Sequence, residues 1–232
     1  MKFGVTQNFE CAYLPEESER LLVLIEEQFT PEQSYELLLS AGFRRSGEQI
    51  YRPHCEHCQA CQSLRLMVEK FKPSRSQKRI WAHNQDITVT ISHSNKPEYY
   101  TLYENYITER HADGSMFPPS EEQYLSFLCQ LRAKQLFFEF HLEQKLVAVA
   151  VTDEVSDALS ALYTFFDPTL SSRSLGTFAI LTQIQHAKTS NKEFMYLGYQ
   201  IDACDKMNYK SKFYPHQRFL NNKWQEFTKK TA

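Results

Sequence analysis

Glycine is scarce in this chain: there are six in 232 residues, where an average composition of roughly 7% would place about sixteen. They stand apart at Gly4, Gly42, Gly47, Gly114, Gly176 and Gly198, so no G-x-G pair occurs. Clustered glycines let a backbone close around a nucleotide phosphate, so the dinucleotide fingerprint, the Walker loop and the kinase phosphate loop are all excluded. Long apolar runs are missing too. Mean hydropathy is -0.52, no stretch approaches the ~18 apolar residues of a membrane span, and Met1 to Glu10 carries no apolar signal core. The expectation is a cytoplasmic protein without a membrane partner. An excess of one charge sign is also lacking: 26 Lys and Arg against 28 Asp and Glu leave a formal charge of -2. Any nucleic-acid partner must therefore be held by a local patch. Six cysteines are present, and without a secretion signal they read as reduced thiols or metal ligands, not as a disulfide framework.

The chain is long enough for one large domain or two small ones. Pro15 followed by Glu16, Glu17 and Glu19 resembles an acidic first helical turn, and Leu21, Leu22, Ile25 and Phe29 recur at helical spacing, which predicts a helix there. Thr30-Pro31-Glu32-Gln33 has the form of a capping box, and the apolar run Leu37 to Leu39 ends at Gly42, a C-cap. Short strands are expected at Phe43 to Arg45, Ile50 to Arg52, Leu64 to Val68 and over Ile87, Val89 and Ile91. The polar segment Ser92 to Lys96 marks a boundary between an N-terminal cysteine-bearing module, residues 1–94, and a larger module, 95–232. The second module reads as a mixed α/β layer fold. It has helices over Glu98 to Arg110, after Ser120, and over Ser174 to Lys188. Its strands are Leu136 to Leu142, Leu146 to Thr152, Leu159 to Phe165 and Phe194 to Tyr199.

Several segments carry chemistry. Cys55, Cys58 and Cys61 form a C-x-x-C-x-x-C run. Thiolates at that spacing can converge on one tetrahedral zinc or on an iron–sulfur cluster, with Cys11 as a fourth ligand. There is no second C-x-x-C pair, so a thiol-rich loop remains the alternative. Lys70, Lys72, Arg75, Lys78 and Arg79 fall within ten residues that include Phe71, with Trp81 just beyond, a composition suited to phosphate contacts and base stacking or to a solvated charged face. Gly176 lies between an expected strand and an expected helix, where backbone N–H groups can meet an anion. Tyr196 to Ile201 leads into Lys206, Lys210 and Lys212, which read either as a polar pocket wall or as a basic surface turn.

Together these segments resemble the aminoacyl-tRNA-protein transferase family, in order and over nearly the whole chain. The resemblance rests on Cys11-Ala12-Tyr13-Leu14, Tyr51-Arg52-Pro53 with the cysteine run, and Phe71 to Gln77. It continues through Arg110 to Met116, Ser174 to Phe178, Tyr196 to Tyr199 and Lys206 to Lys210. The chain is most similar to the short bacterial branch, the aspartate/glutamate leucyltransferases. That implies a GNAT-type (N-acetyltransferase-like) C-terminal fold and transfer of leucine from leucyl-tRNA to proteins beginning with Asp or Glu, in the N-degron pathway. DNA is not an implied partner. One departure stands out: where the eukaryotic branch has a second cysteine three residues after the first, this chain has Leu14, and its later cysteines are spaced rather than adjacent. A metal role for Cys55, Cys58 and Cys61 is therefore not carried over with the resemblance.

The reaction so implied is aminolysis of an activated ester, which requires positioning, a neutral amine and oxyanion stabilisation, and no cofactor. Its candidate groups are the backbone at Gly176 for the tRNA terminus or oxyanion, and Tyr199, His111 and Asp113 around the amine. Lys206, Lys210 and Lys212 are candidates for the acceptor's acidic side chain, and Lys70, Lys72, Arg75, Lys78 and Arg79 for tRNA phosphates. Three alternatives stand beside it: arginyl transfer, an acetyl-CoA-dependent acetyltransferase, and a zinc-dependent RNA-binding module.

Overall fold

The computed structural model describes residues 1–114, 116–129 and 132–229. The first part contains β1 (Lys2–Val5), β2 (Phe9–Glu10), β3 (Ser18–Glu19), β4 (Leu21–Glu26), α1 (Pro31–Ser40), β5 (Arg44–Ser46), β6 (Gln49–Pro53), β7 (Gln62–Met67), α2 (Arg75–His83) and β8 (Ile87–Ser92). Then follow α3 (Pro97–Arg110), α4 (Glu121–Leu128), β9 (Lys134–Leu142), β10 (Lys145–Glu154), β11 (Ala158–Phe166), α5 (Leu175–Thr189), β12 (Phe194–Gln200), β13 (His216–Leu220) and β14 (Lys223–Phe227). Short 3-10 turns cover Pro168–Arg173 and Asn208–Lys212. Among the described residues no helix is long and apolar enough to cross a membrane.

An eight-stranded sheet in the order β14-β13-β7-β12-β11-β10-β9-β8 forms the centre. Alternation of side chains makes it two-sided. Phe138, Phe140, Ala148 and Ala150 share a core with Phe178, Leu181 and Ile184 of α5, while Phe137, Val149 and Val151 share another with Tyr99 and Tyr103 of α3 and Tyr124 of α4. A third cluster joins Tyr35, Leu38 and Leu39 of α1 to Ile50, Ala158 and Tyr196. Through Ile50 it ties in a second sheet, ordered β1-β4-β6-β5. Because β7 and β8 belong to the same sheet as β9 to β12, the boundary expected between residues 94 and 95 does not divide the sheet.

The helix predicted after Thr30 forms with both halves of its capping box: Gln33 N–H donates to Thr30 Oγ1 at 3.3 Å and Thr30 N–H to Gln33 Oε1 at 3.4 Å. It stops before Gly42, where φ is +83° and a Cβ would stand 2.6 Å from Phe219 Cδ1. The helix expected over Pro15 to Phe29 does not form. Glu16 takes φ 69°, and Leu21–Glu26 is strand β4, bonded to β1 and β6. Its run of leucine, valine and isoleucine suits either period, and the strands available on both sides decide it.

One irregularity shapes the molecule. Among the described residues, all ladders of the large sheet are antiparallel except β11 with β12, which pair only over Ala158–Ser160 and Phe194–Tyr196. Just beyond, each strand bulges. Leu162 is the extra residue of β11 against β10, and Leu197 the extra residue of β12 against β7. A bulge bends and twists its strand, so each strand stays on its outer neighbour and the two part.

Candidate active site

Arg44 of β5 reaches into this opening. Its Nη2 donates to the carbonyl of Ala161 at 2.7 Å, the first residue of β11 past the parallel ladder. Neighbours on a strand point to opposite faces, so Arg45 turns the other way, into a buried bidentate pair with Asp153 at 2.7 and 2.6 Å. Arg44 has no such partner. It is only 6% exposed, its buried Nη1 makes no hydrogen bond, and it forms no ion pair among the described residues.

Across the position of Gly198 lies Lys210. A Cβ on Gly198 would stand 3.7 Å from Arg44 Nη2 and 3.8 Å from Lys210 Cε. Lys210 is 5% exposed. Its Nζ donates to the Met207 carbonyl at 3.3 Å and lies 4.6 Å from the centroid of the Tyr209 ring. Burial, and then the charge of Arg44, push its ammonium down from 10.5 to about 7, with Cys204 acting the other way. Both protonation states are thus populated near neutral pH. The 3-10 turn that carries Lys210 is clamped to β12 by Gln200, whose Oε1 accepts from Ser211 N–H at 3.1 Å while its Nε2 donates to Asp202 Oδ1 at 2.8 Å.

The remaining predicted residues fall into separate groups. His111, Asp113 and Lys206 come together at the end of α3. Lys206 Nζ meets Asp113 Oδ2 at 3.2 Å, and His111 is held below its ordinary value by burial and by Lys206. The Tyr163 hydroxyl, one residue past the β11 bulge, donates to Met116 Sδ at 3.6 Å, so this loop borders the opening. Ser115, part of the same motif, lies outside the described residues. Tyr199 is buried, and its hydroxyl is shared between the carbonyls of Gly42 and Tyr51, each at 3.2 Å. That single proton fastens the α1–β5 turn and β6 to β12, which makes Tyr199 a fastener in this arrangement. Gly176 lies at the start of a helix, within the span expected for it. It lies in the first turn of α5, behind the 3-10 turn, with ordinary room for a Cβ 3.6 Å from Phe166 Cε1. The left-handed residue there is Ser174, φ 53°.

On α2 the cations Arg75, Lys78 and Arg79, with Lys72 before it, are exposed and unpaired among the described residues, whereas Lys70 pairs with Glu226 at 2.9 Å. Gln77 Nε2 donates to the Lys212 carbonyl at 3.4 Å, so the basic face continues into the turn that bears Lys210. Lys212 is exposed on that face. Lys206, Lys210 and Lys212 therefore do not act as one cluster: one is paired, one buried and one outward.

Cys55, Cys58 and Cys61 line one small cavity of ≈ 50 Å³ with Cys11, Tyr13 and Tyr51. Burial, then Cys11, Cys55 and Cys58, push the Cys61 thiol up to about 12. Metal binding asks for thiolates grouped around one point, and among the described residues no three Cys, His, Asp or Glu side chains are so grouped.

Sequence reasoning missed Arg44. The signal was the pair Arg44-Arg45 in a predicted strand: period-2 alternation sends one to each face, and only one has a carboxylate waiting.

A mixed sheet in which, among the described residues, one parallel pair parts over bulges, with helices on both faces, is a GNAT-type fold. The C-terminal domain of a putative lysylphosphatidylglycerol synthetase from Agrobacterium fabrum has a similar fold, with TM-score 0.50 and 14% identity, covering 73% of this chain and 58% of that one. The chain belongs to the arginine-tRNA-protein transferase family, whose N-terminus model matches residues 9–79 and whose C-terminus model matches residues 98–220. An aspartate/glutamate leucyltransferase from Pseudoalteromonas atlantica is 56% identical over 99% of both chains. One from Aeromonas salmonicida is 51% identical, over 99% of this chain and 97% of the relative.

Proposed function

We propose that this aminoacyl-tRNA-protein transferase moves leucine from leucyl-tRNA to the α-amine of proteins beginning with Asp or Glu, marking them in the cytoplasm for the N-degron pathway. The observation that carries the reading is the 56% identity, over 99% of each chain, to a relative named aspartate/glutamate leucyltransferase. The opening between β11 and β12 offers a place for the chemistry.

In this reading the acceptor amine, with an ordinary pKa of about 7.7–8.0, attacks the leucyl carbonyl. The C–N bond forms, the ester C–O bond breaks, and the terminal ribose hydroxyl leaves with a proton. Neutral Lys210 takes the proton from the amine and returns it to the leaving oxygen, a task suited to a group poised near 7. His111, Asp113 and Lys206 border the acceptor. Lys72, Arg75, Lys78 and Arg79, with Lys70 and Lys212 at the margins, hold tRNA phosphates. The first amides of α5, at Leu175 and Gly176, take no capping side chain and suit the phosphates of the tRNA 3′ end. The ester supplies the driving force, so the reading calls for no resident cofactor.

Radiolabelled leucyl-tRNA and arginyl-tRNA, each offered with peptides beginning with Asp, Glu, Arg or Ala, test it. Leucine should pass to the Asp and Glu peptides alone. Labelled arginine on those peptides would move the chain to arginyl transfer, and acetylation from acetyl-CoA without either would replace the reading.

A further inference from the structure

The leucyl-transfer reading leaves Arg44 without a task. We propose that Arg44 reads the acceptor's acidic side chain: in the opening between β11 and β12 its guanidinium receives the carboxylate of an N-terminal Asp or Glu, beside Lys210 at the adjoining amine. The proposal rests on that reading and names the residue that sets its acceptor specificity.

A buried guanidinium is unfavourable without a counter-ion. Arg45, one residue along, has the partner expected of a structural arginine, the bidentate carboxylate of Asp153. Arg44 instead has Nη2 held by the Ala161 carbonyl, which fixes the plane of the fork, and a buried Nη1 with nothing to donate to among the described residues. A carboxylate accepts from such a fork with both charge and geometry matched. An Asn or Gln amide would leave the guanidinium unneutralised, so one residue separates acids from amides. Access is from β11, where Ala161 to Thr164 are half-buried and not fully covered. A seated carboxylate would also relieve the repulsion that Arg44 exerts on Lys210, so the proton acceptor strengthens when an acidic acceptor arrives.

The test is steady-state transfer from saturating leucyl-tRNA to four peptides that differ only in an N-terminal Asp, Glu, Asn or Gln, by the wild type, Arg44→Gln and Arg44→Lys. Arg44→Gln should lower kcat/KM for the acidic peptides ~100-fold, mainly through KM, and lower it for the amide peptides far less, through the changed proton affinity of Lys210 alone, so that the preference for acids over amides collapses. Arg44→Lys should recover part of the loss. An Arg44→Gln enzyme that keeps its preference for acids over amides overturns the proposal, as does an equal loss on all four peptides. A wild type that transfers leucine to none of them overturns the transferase reading instead. A second measurement needs no variant. A succinylated peptide, which keeps the carboxylate and lacks the amine, should compete with the Asp peptide on the wild type, and its succinamyl counterpart should not. Equal inhibition by the two overturns the proposal.

Discussion

Leu162 of β11 and Leu197 of β12 are both the extra residue of a bulge, and both fall within two residues of the last parallel pair, Ser160 with Tyr196. The opening in the sheet is therefore built by register. The strands remain bonded to β10 and β7 while releasing each other, and Arg44 and Lys210 occupy the space released.

Gly198 stands at that bulge with φ +93°. A Cβ would meet only ordinary contacts there, so the cost of Gly198→Ala is backbone strain and not crowding. It should destabilise by about 1–3 kcal/mol, read in a thermal melt as roughly 2–4 °C per kcal/mol for a chain of this size. Transfer should fall more than stability, because the bulge sets the spacing of Arg44 and Lys210. An unchanged melting temperature would mean that the turn is not held as described.

Lys210 makes two opposed predictions. As a proton acceptor it should contribute ~10²–10⁴ in rate, and log kcat/KM should fall with a slope of about two below pH 7, one proton from Lys210 and one from the acceptor amine. In Lys210→Met the slope should drop to about one. For stability the sign runs the other way. The folded affinity for the proton is lower than the unfolded one, so between about 7 and 10.5 unfolding takes up a proton and stability rises with pH. Lys210→Met should thus be more stable by about 1–4 kcal/mol below pH 7, with the advantage shrinking toward pH 10.5. Denaturant melts at several pH values check this.

Arg75 and Arg79 face solvent on α2. Reversing both to Glu should leave the fold intact and weaken tRNA binding, with the slope of log affinity against log salt reduced by about one per lost contact. A salt titration of binding decides it, and an unchanged slope would return this helix to the status of a solvated face.

Cys61 should be the slow thiol of its cavity. A thiol pushed up to about 12 is almost wholly protonated at neutral pH, and only the thiolate is nucleophilic. Alkylation with iodoacetamide, followed by peptide mass spectrometry, should show Cys61 modified at least ~10-fold more slowly than an unperturbed thiol.

Local chemistry made much of this protein legible from its residues. The capping box at Thr30 and Gln33 and the apolar alternation of Ile87, Val89 and Ile91 each stated their own structure, because caps and alternation are satisfied within a few residues. The ordered motifs carried the family, and the lone glycines that remained included Gly198, which the bulge requires.

What the residues alone could not state depended on partners distant in the chain. Leu21 to Glu26 became a strand because β1 and β6 were there to bond it. Tyr199 became a fastener because two carbonyls lay within reach. Arg44 and Arg45 are indistinguishable as adjacent residues of one strand; only the tertiary structure supplied Asp153 to one of them and an opening between two parting strands to the other, because burial and the partner across the sheet, not residue type, decide whether a charge is spent or kept free.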